Sequence, residues 1–311
     1  MAPRFWYRPP GPVLRLLGPL VPGQRPAAAP ERMPVPVVAV VSLSVGGTGK
    51  TPTVIALAQR LAMQGRKVHV MASGPGVPFR VDERGHAAQD VGDEPLLIAA
   101  FAPTWVAEDP HEGIRAAAGE GAEIVVLDGG EPTGEVAADL RVVVEDAHRG
   151  FGNGFAWPLG PLKQRLASGL TPADLLITIG PEAAQARFLE AWADRVPCRH
   201  LAGRLEPLPT GMDWNGLDVV AFAGIGAPER FFATLRGLGA NLLRAQALSD
   251  HQELTSALMS RLENEARLRG AQLVTTEKDA VRLPRAFRQK VVSLPVRLEF
   301  DDWGPLDQAL P

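Results

Sequence analysis

Behind Pro36 the chain reads Val37-Val38-Ala39-Val40-Val41, five apolar residues with no polar break. A run of that length and composition suits a strand buried on both faces of a parallel sheet. A glycine-rich loop follows, and Pro52–Met63 then predicts a helix with proline near its first turn. Similar short apolar runs at Lys67–Met71, Thr104–Ala107, Glu123–Leu127, Arg141–Val144 and Leu175–Ile179 predict further strands. Helical stretches at Glu94–Phe101, His111–Ala118 and Glu182–Ala193 alternate with them, and alternation of this kind predicts a doubly wound α/β sheet. The turn-rich Pro207–Gly211 reads as a linker. Beyond it the pattern restarts: strand Asp218–Ala223, helix Pro228–Leu238, strand Asn241–Ala247, helix Glu253–Arg269 and strand Gln272–Thr275. The expected division is an arm over 1–30, a main α/β domain over 31–206 and a smaller C-terminal α/β lobe over 207–311. No repeat of fixed period and no low-complexity tract interrupts it.

Composition narrows the class. The 311 residues are 46% hydrophobic and 22% charged, which suits a folded chain with a full core. A net charge of −3 gives no broad attraction to nucleic acid, so no nucleic-acid partner is expected. The lone Cys198 has no partner for an intramolecular disulfide and points to a reducing compartment. The arm stands apart, with Arg4, Arg8, Arg15 and Arg25 opposed by no acid and with Phe5, Trp6, Tyr7 and Val13–Leu17 as apolar groups. Pro12, Pro19 and Pro22 break the apolar stretch, which is too short to span a bilayer. They also interrupt the core that a secretory signal ending at Ala27-Ala28-Ala29 would need. Two readings stand: an arm or helix of purely structural use, or a contact with an anionic membrane surface.

The candidate chemistry begins at Ser44-Val45-Gly46-Gly47-Thr48-Gly49-Lys50-Thr51, between the first strand and its helix. Glycines let backbone N–H groups close around phosphate oxygens, and the helix N-terminus adds partial positive charge. Lys50 is expected to reach the terminal phosphates of ATP, and the Thr51 hydroxyl to ligate Mg²⁺. Ser44 stands where the full motif has its first glycine. Glu123–Asp128 is an apolar strand ending in a carboxylate, which makes Asp128 the second candidate at the metal. The fold class expected is therefore a P-loop NTPase-like, doubly wound, mostly parallel sheet with the smaller lobe behind it.

Six blocks in order carry a further signal: Gly46–Pro52, Val91-Gly92-Asp93-Glu94-Pro95, Arg149-Gly150-Phe151-Gly152-Asn153-Gly154, Ala223–Gly226 with Arg230-Phe231-Phe232, Ser249-Asp250-His251 and Thr275-Thr276-Glu277-Lys278-Asp279. Together the chain resembles the tetraacyldisaccharide 4′-kinase family, from Phe5-Trp6-Tyr7 to Leu294–Arg297. The resemblance implies transfer of the ATP γ-phosphate to the 4′-hydroxyl of a tetraacylated glucosamine disaccharide 1-phosphate in lipid A synthesis, with Mg²⁺. It implies that Asp93 acts on the sugar hydroxyl with His251 as its partner. It also implies an anionic lipid substrate, and so work at the cytoplasmic face of the inner membrane of a Gram-negative bacterium.

Some motif positions depart from that family. Ser73 and Pro75 stand where its second-strand loop has arginine and tyrosine, and Asp128-Gly129-Gly130-Glu131-Pro132 replaces Asp-Asp-Gly-Phe-Gln. Pro161-Leu162-Lys163-Gln164 replaces Pro-Leu-Arg-Glu, and Gln252 stands for a second histidine. These changes remove charge where phosphoryl transfer needs it. A non-catalytic nucleotide-binding relative is the alternative to an active kinase, and a P-loop switch protein is a third reading that lacks a guanine-specificity signature.

Overall fold

A computed structural model describes residues 3–17, 30–129, 136–250 and 252–311. The chain forms two compact units, and neither is continuous in sequence. The first comprises Met1–Val81, Phe101–Leu205 and Leu298–Pro311; the second comprises Asp82–Ala100 and Glu206–Arg297. The expected division at 206/207 differs from these units in two segments. Residues 82–100 belong with the second unit rather than the main domain, and 298–311 return to the first.

The larger sheet has nine strands: β1 (Val37–Val41), β2 (Val68–Ser73), β3 (Phe79–Arg80), β4 (Thr104–Ala107), β5 (Ile124–Asp128), β6 (Leu140–Asp146), β7 (Leu175–Ile179), β8 (Arg199–Pro207) and β13 (Val296–Phe300), with β9 to β12 in the second unit. Their order is β13-β8-β7-β6-β1-β5-β2-β4-β3. The pairings from β8 through to β4 are parallel, and β3 is antiparallel at one edge. β1 lies inside the sheet between β5 and β6, and all five of its side chains are buried. Burial on both faces is why the run Val37–Val41 shows no alternation.

In the second unit β9 (Asp218–Ala223), β10 (Asn241–Ala247), β11 (Gln272–Thr276) and β12 (Val292–Leu294) form a parallel sheet in the order β10-β9-β11-β12. β9 is apolar on both sides. Val220 and Phe222 pack with Met259, Leu262 and Ala266 of helix Ser256–Leu268, while Val219, Ala221 and Ala223 pack with Phe231, Phe232 and Leu235 of helix Pro228–Gly237. The period of two on the strand and of three to four on each helix gives this unit its own two-sided core.

Residues 3–17 are part of the first unit. A 3-10 turn over Arg4–Tyr7 buries Trp6, whose indole N–H donates to the Pro158 carbonyl at 3.1 Å. The Asn153 N–H donates to the Trp6 carbonyl at 2.6 Å. Trp6 is thus a structural plug and not a lipid-facing ring, whereas Phe5 and Leu16 are exposed. Arg25 and Ala27–Ala29 lie outside the described residues. Among the described residues no helix is long and apolar enough to cross a membrane.

Candidate functional site

The loop after β1 is shaped by two glycines and gripped by a second segment. Gly46 and Gly49 both have a φ of 99°, a conformation that side chains disfavour. A Cβ on Gly49 would also lie 2.4 Å from the Ile179 methyl, so glycine is required there twice over. Ser44 forms a bridge with Leu162, the Val45 N–H donates to the Pro161 carbonyl at 2.9 Å, and the Lys163 N–H donates to the Leu43 carbonyl at 2.7 Å. Gly47, Thr48 and Gly49 then lead into helix Lys50–Met63, and Gly49, at its N-cap, has no side chain to cap it. The positive end of a 14-residue helix therefore faces the loop without a competing side-chain acceptor. Thr48 Oγ1 is buried and makes no hydrogen bond among the described residues, a polar atom for which a bound group would supply the partner.

Lys50 and Asp128 meet at this loop. Asp128 ends β5 in register with Val40, and its Oδ1 lies 3.7 Å from Lys50 Nζ. Thr51 is buried one residue further along the helix. A hydroxyl and a carboxylate are the hard oxygen donors that Mg²⁺ takes, and it keeps most of its waters beside phosphates. Among the described residues no group of three or more acidic, His or Cys side chains offers a metal cage. The donor set of Thr51 and Asp128 fits a metal shared with a nucleotide. Gly130-Glu131-Pro132 lie outside the described residues.

Arg149 is a cation that sequence reasoning did not single out. Its Nη1 lies 3.4 Å from where a Cβ on Gly46 would sit, its Nε is 3.8 Å from Asp146 Oδ2, and its guanidinium lies over the Tyr7 ring. The available signal was its place at the head of the Arg149–Gly154 block.

The acceptor-side candidates belong to the second unit. Asp93 opens helix Asp93–Ala99 behind Gly92, which has a φ of 89°. Arg282 holds it: Arg282 Nε is 3.5 Å from Asp93 Oδ2. The same guanidinium donates to the Gln252 carbonyl at 3.0 Å and the Gly224 carbonyl at 3.3 Å, and pairs with the fully buried Asp279. Asp279 in turn accepts from the Gly224 N–H at 3.0 Å and the Thr276 hydroxyl at 2.7 Å. Residues of three sequence blocks, Asp93, Gly224 and Asp279, and Gln252 just after a fourth thus converge on one arginine. His251 lies outside the described residues, between Asp250 and Gln252. Arg282 was also missed in the sequence, where it is one of many arginines and lies just past the Thr275–Asp279 block.

A parallel doubly wound sheet, a glycine loop on an inner strand, a lysine opening the next helix and a carboxylate ending the adjacent strand together define a P-loop nucleotide-binding protein. Sequence comparison narrows the class. The family profile described as Tetraacyldisaccharide-1-P 4'-kinase matches residues 22–311. The chain is 52% identical to the tetraacyldisaccharide 4'-kinase of Jannaschia sp. (strain CCS1), covering 99% of this chain and 98% of that protein. It is 51% identical to the protein of the same name from Dinoroseobacter shibae, over 99% and 96%. In three dimensions it is similar to LpxK from Aquifex aeolicus, solved in complex with ATP, with a TM-score of 0.70 at 22% identity over 91% of this chain and 89% of that one. The chain belongs to the tetraacyldisaccharide 4′-kinase family, and with it to the phosphotransferases of lipid A synthesis. Similarity of this extent to proteins named as kinases disfavours the non-catalytic alternative.

Proposed function

We propose that the protein transfers the γ-phosphate of ATP to the 4′-hydroxyl of a tetraacylated disaccharide 1-phosphate, with Asp93 taking the proton of that hydroxyl. The observation that supports this reading is the Arg282 junction. One guanidinium lies against the Asp93 carboxylate and also holds the backbone of Gln252, the residue after His251. A sugar hydroxyl is a weak nucleophile, and a carboxylate held in a fixed direction can accept its proton as the new P–O bond forms. His251, in this reading, orients or tunes that carboxylate. On the donor side the loop Ser44–Thr51 binds the phosphates, Lys50 offsets their charge, and Thr51 and Asp128 would hold Mg²⁺. The metal, when bound, supplies further neutralisation of charge on the phosphates.

The substrate carries four acyl chains, each worth about 0.8 kcal/mol of anchoring per buried CH₂, so it stays in the bilayer. The enzyme therefore works at a membrane surface, on the cytoplasmic side where ATP is available. The exposed Arg4, Arg8 and Arg15 suit an anionic surface there.

The test is transfer of label from radiolabelled ATP to the disaccharide lipid in mixed micelles. Asp93→Asn keeps the size of the side chain but cannot take a proton, so kcat should fall by ~10²–10⁴ while ATP affinity holds. A variant with wild-type kcat would sink the base assignment.

A further inference from the structure

Glu145 is a carboxylate that the chemistry above does not use, and it lies under the phosphate loop. It is the next-to-last residue of β6 and is 0% exposed. Its Oε1 accepts the N–H of Leu43 at 2.7 Å and of Ser44 at 2.9 Å, the two residues through which β1 becomes the loop. Its Oε2 is buried and makes no hydrogen bond among the described residues. Beside Leu43 lies Gln164, itself 2% exposed, and neither of its side-chain polar atoms is bonded. A Cβ on Gly169 would lie 2.4 Å from a Leu43 methyl and 2.8 Å from Gln164 Nε2, so these two side chains occupy one pocket wall. Buried polar atoms without partners are costly, and an apolar pair would serve packing alone better. Something other than packing accounts for an acid here.

We propose that Glu145 is a positioning residue of this kinase: its carboxylate holds the Leu43 and Ser44 N–H groups and sets the start of the phosphate loop for ATP. The proposal rests on the reading that Ser44–Thr51 binds ATP. An ionised acceptor holds two N–H donors about twice as strongly as a neutral one. Burial pushes the Glu145 carboxyl up to about 7, opposed by the Ser44 and Leu43 N–H groups and the charge of Lys163. Glu145 also acts on Tyr7, whose phenol is raised by burial first and, against Arg149, by Asp146 and Glu145. β1 and β7 on either side contribute no charged side chain. The grip on the loop therefore weakens as pH falls through neutrality.

Calorimetry with Mg·ATP on wild type and Glu145→Gln tests this, with Lys50→Ala as reference. Glu145→Gln should bind ATP roughly tenfold more weakly at about pH 8, with no loss of thermal stability. The wild-type advantage should shrink at about pH 6, a ratio in which the titration of ATP itself cancels. Equal affinity of wild type and Glu145→Gln at about pH 8 overturns the proposal. So does a loss equal at both pH values and accompanied by a lower melting temperature, which marks a merely structural acid. If Lys50→Ala also binds ATP like wild type, the loop assignment itself fails; if only Glu145→Gln does, the fault lies with Glu145 alone.

Discussion

Glu145 and Arg282 are both charges held out of water, with different consequences for stability. The Glu145 carboxyl is raised from an ordinary 4.5 to about 7 in the folded chain. Between those values the folded state binds more protons than the unfolded one, so stability falls as pH rises through this window. Above it, keeping the carboxylate ionised costs on the order of 3 kcal/mol. The stability difference between Glu145→Gln and wild type should therefore shift in favour of the variant on going from about pH 5 to about pH 8, read from thermal melts. Arg282 is instead paired, with Asp279 below and Asp93 beside it. Arg282→Gln should lower kcat for lipid phosphorylation by roughly ten- to a hundredfold through misplacement of Asp93, with the KM for ATP unchanged. Arg282→Lys, which keeps the charge on Asp279, should recover part of that loss. If the KM for ATP rises as far as kcat falls, Arg282 supports folding in general and does not position Asp93.

At the scale of elements, the loop and helix Lys50–Met63 are the most sharply specified part of the chain. Gly49→Ala meets both a positive φ and the Ile179 methyl, so it should destabilise the first unit by about 2 kcal/mol or more and weaken ATP binding. Denaturant melts and calorimetry check it, and a variant with wild-type values would mean that the loop has another conformation. Gly129 has open space around it but a φ of 99°, so restoring the family's second aspartate there strains the backbone as it adds charge. β1, β4, β7 and β9 were legible because continuous apolar runs leave few alternatives. β8 was not, because RHLAGRLEP is mostly polar and exposed, and only its position beside β7 makes it a strand. The helix expected from Glu253 begins at Ser256, because the Thr255 hydroxyl accepts the Leu258 N–H and caps it there. A cap shifts a boundary that hydrophobic period alone leaves loose.

Over the whole molecule, the basic arm is part fold and part exposed charge. Trp6 is locked into the first unit, while Arg4, Arg8 and Arg15 are exposed. Replacing these three arginines by serine, with Trp6 intact, should lower co-sedimentation with anionic liposomes, at ~1 kcal/mol for each charge near the surface. Binding to neutral vesicles should not change. Undiminished sedimentation on anionic liposomes would leave the arm a structural element only.

The sequence by itself determined the doubly wound sheet and the phosphate loop, and it put a carboxylate, Asp128, at the end of an apolar strand, because each depends on local pattern and short spacing; the fold then brought that carboxylate to Lys50. It also carried the family, through six blocks in order. Tertiary structure decided what depends on residues far apart in the chain. It assigned Asp93 to the second unit with Arg282, buried Trp6 against Pro158, and brought Glu145 to the amides of Leu43 and Ser44 across 102 and 101 residues. A buried charge near the end of a strand has no reading in the pattern of the chain until the fold supplies the donors that it holds.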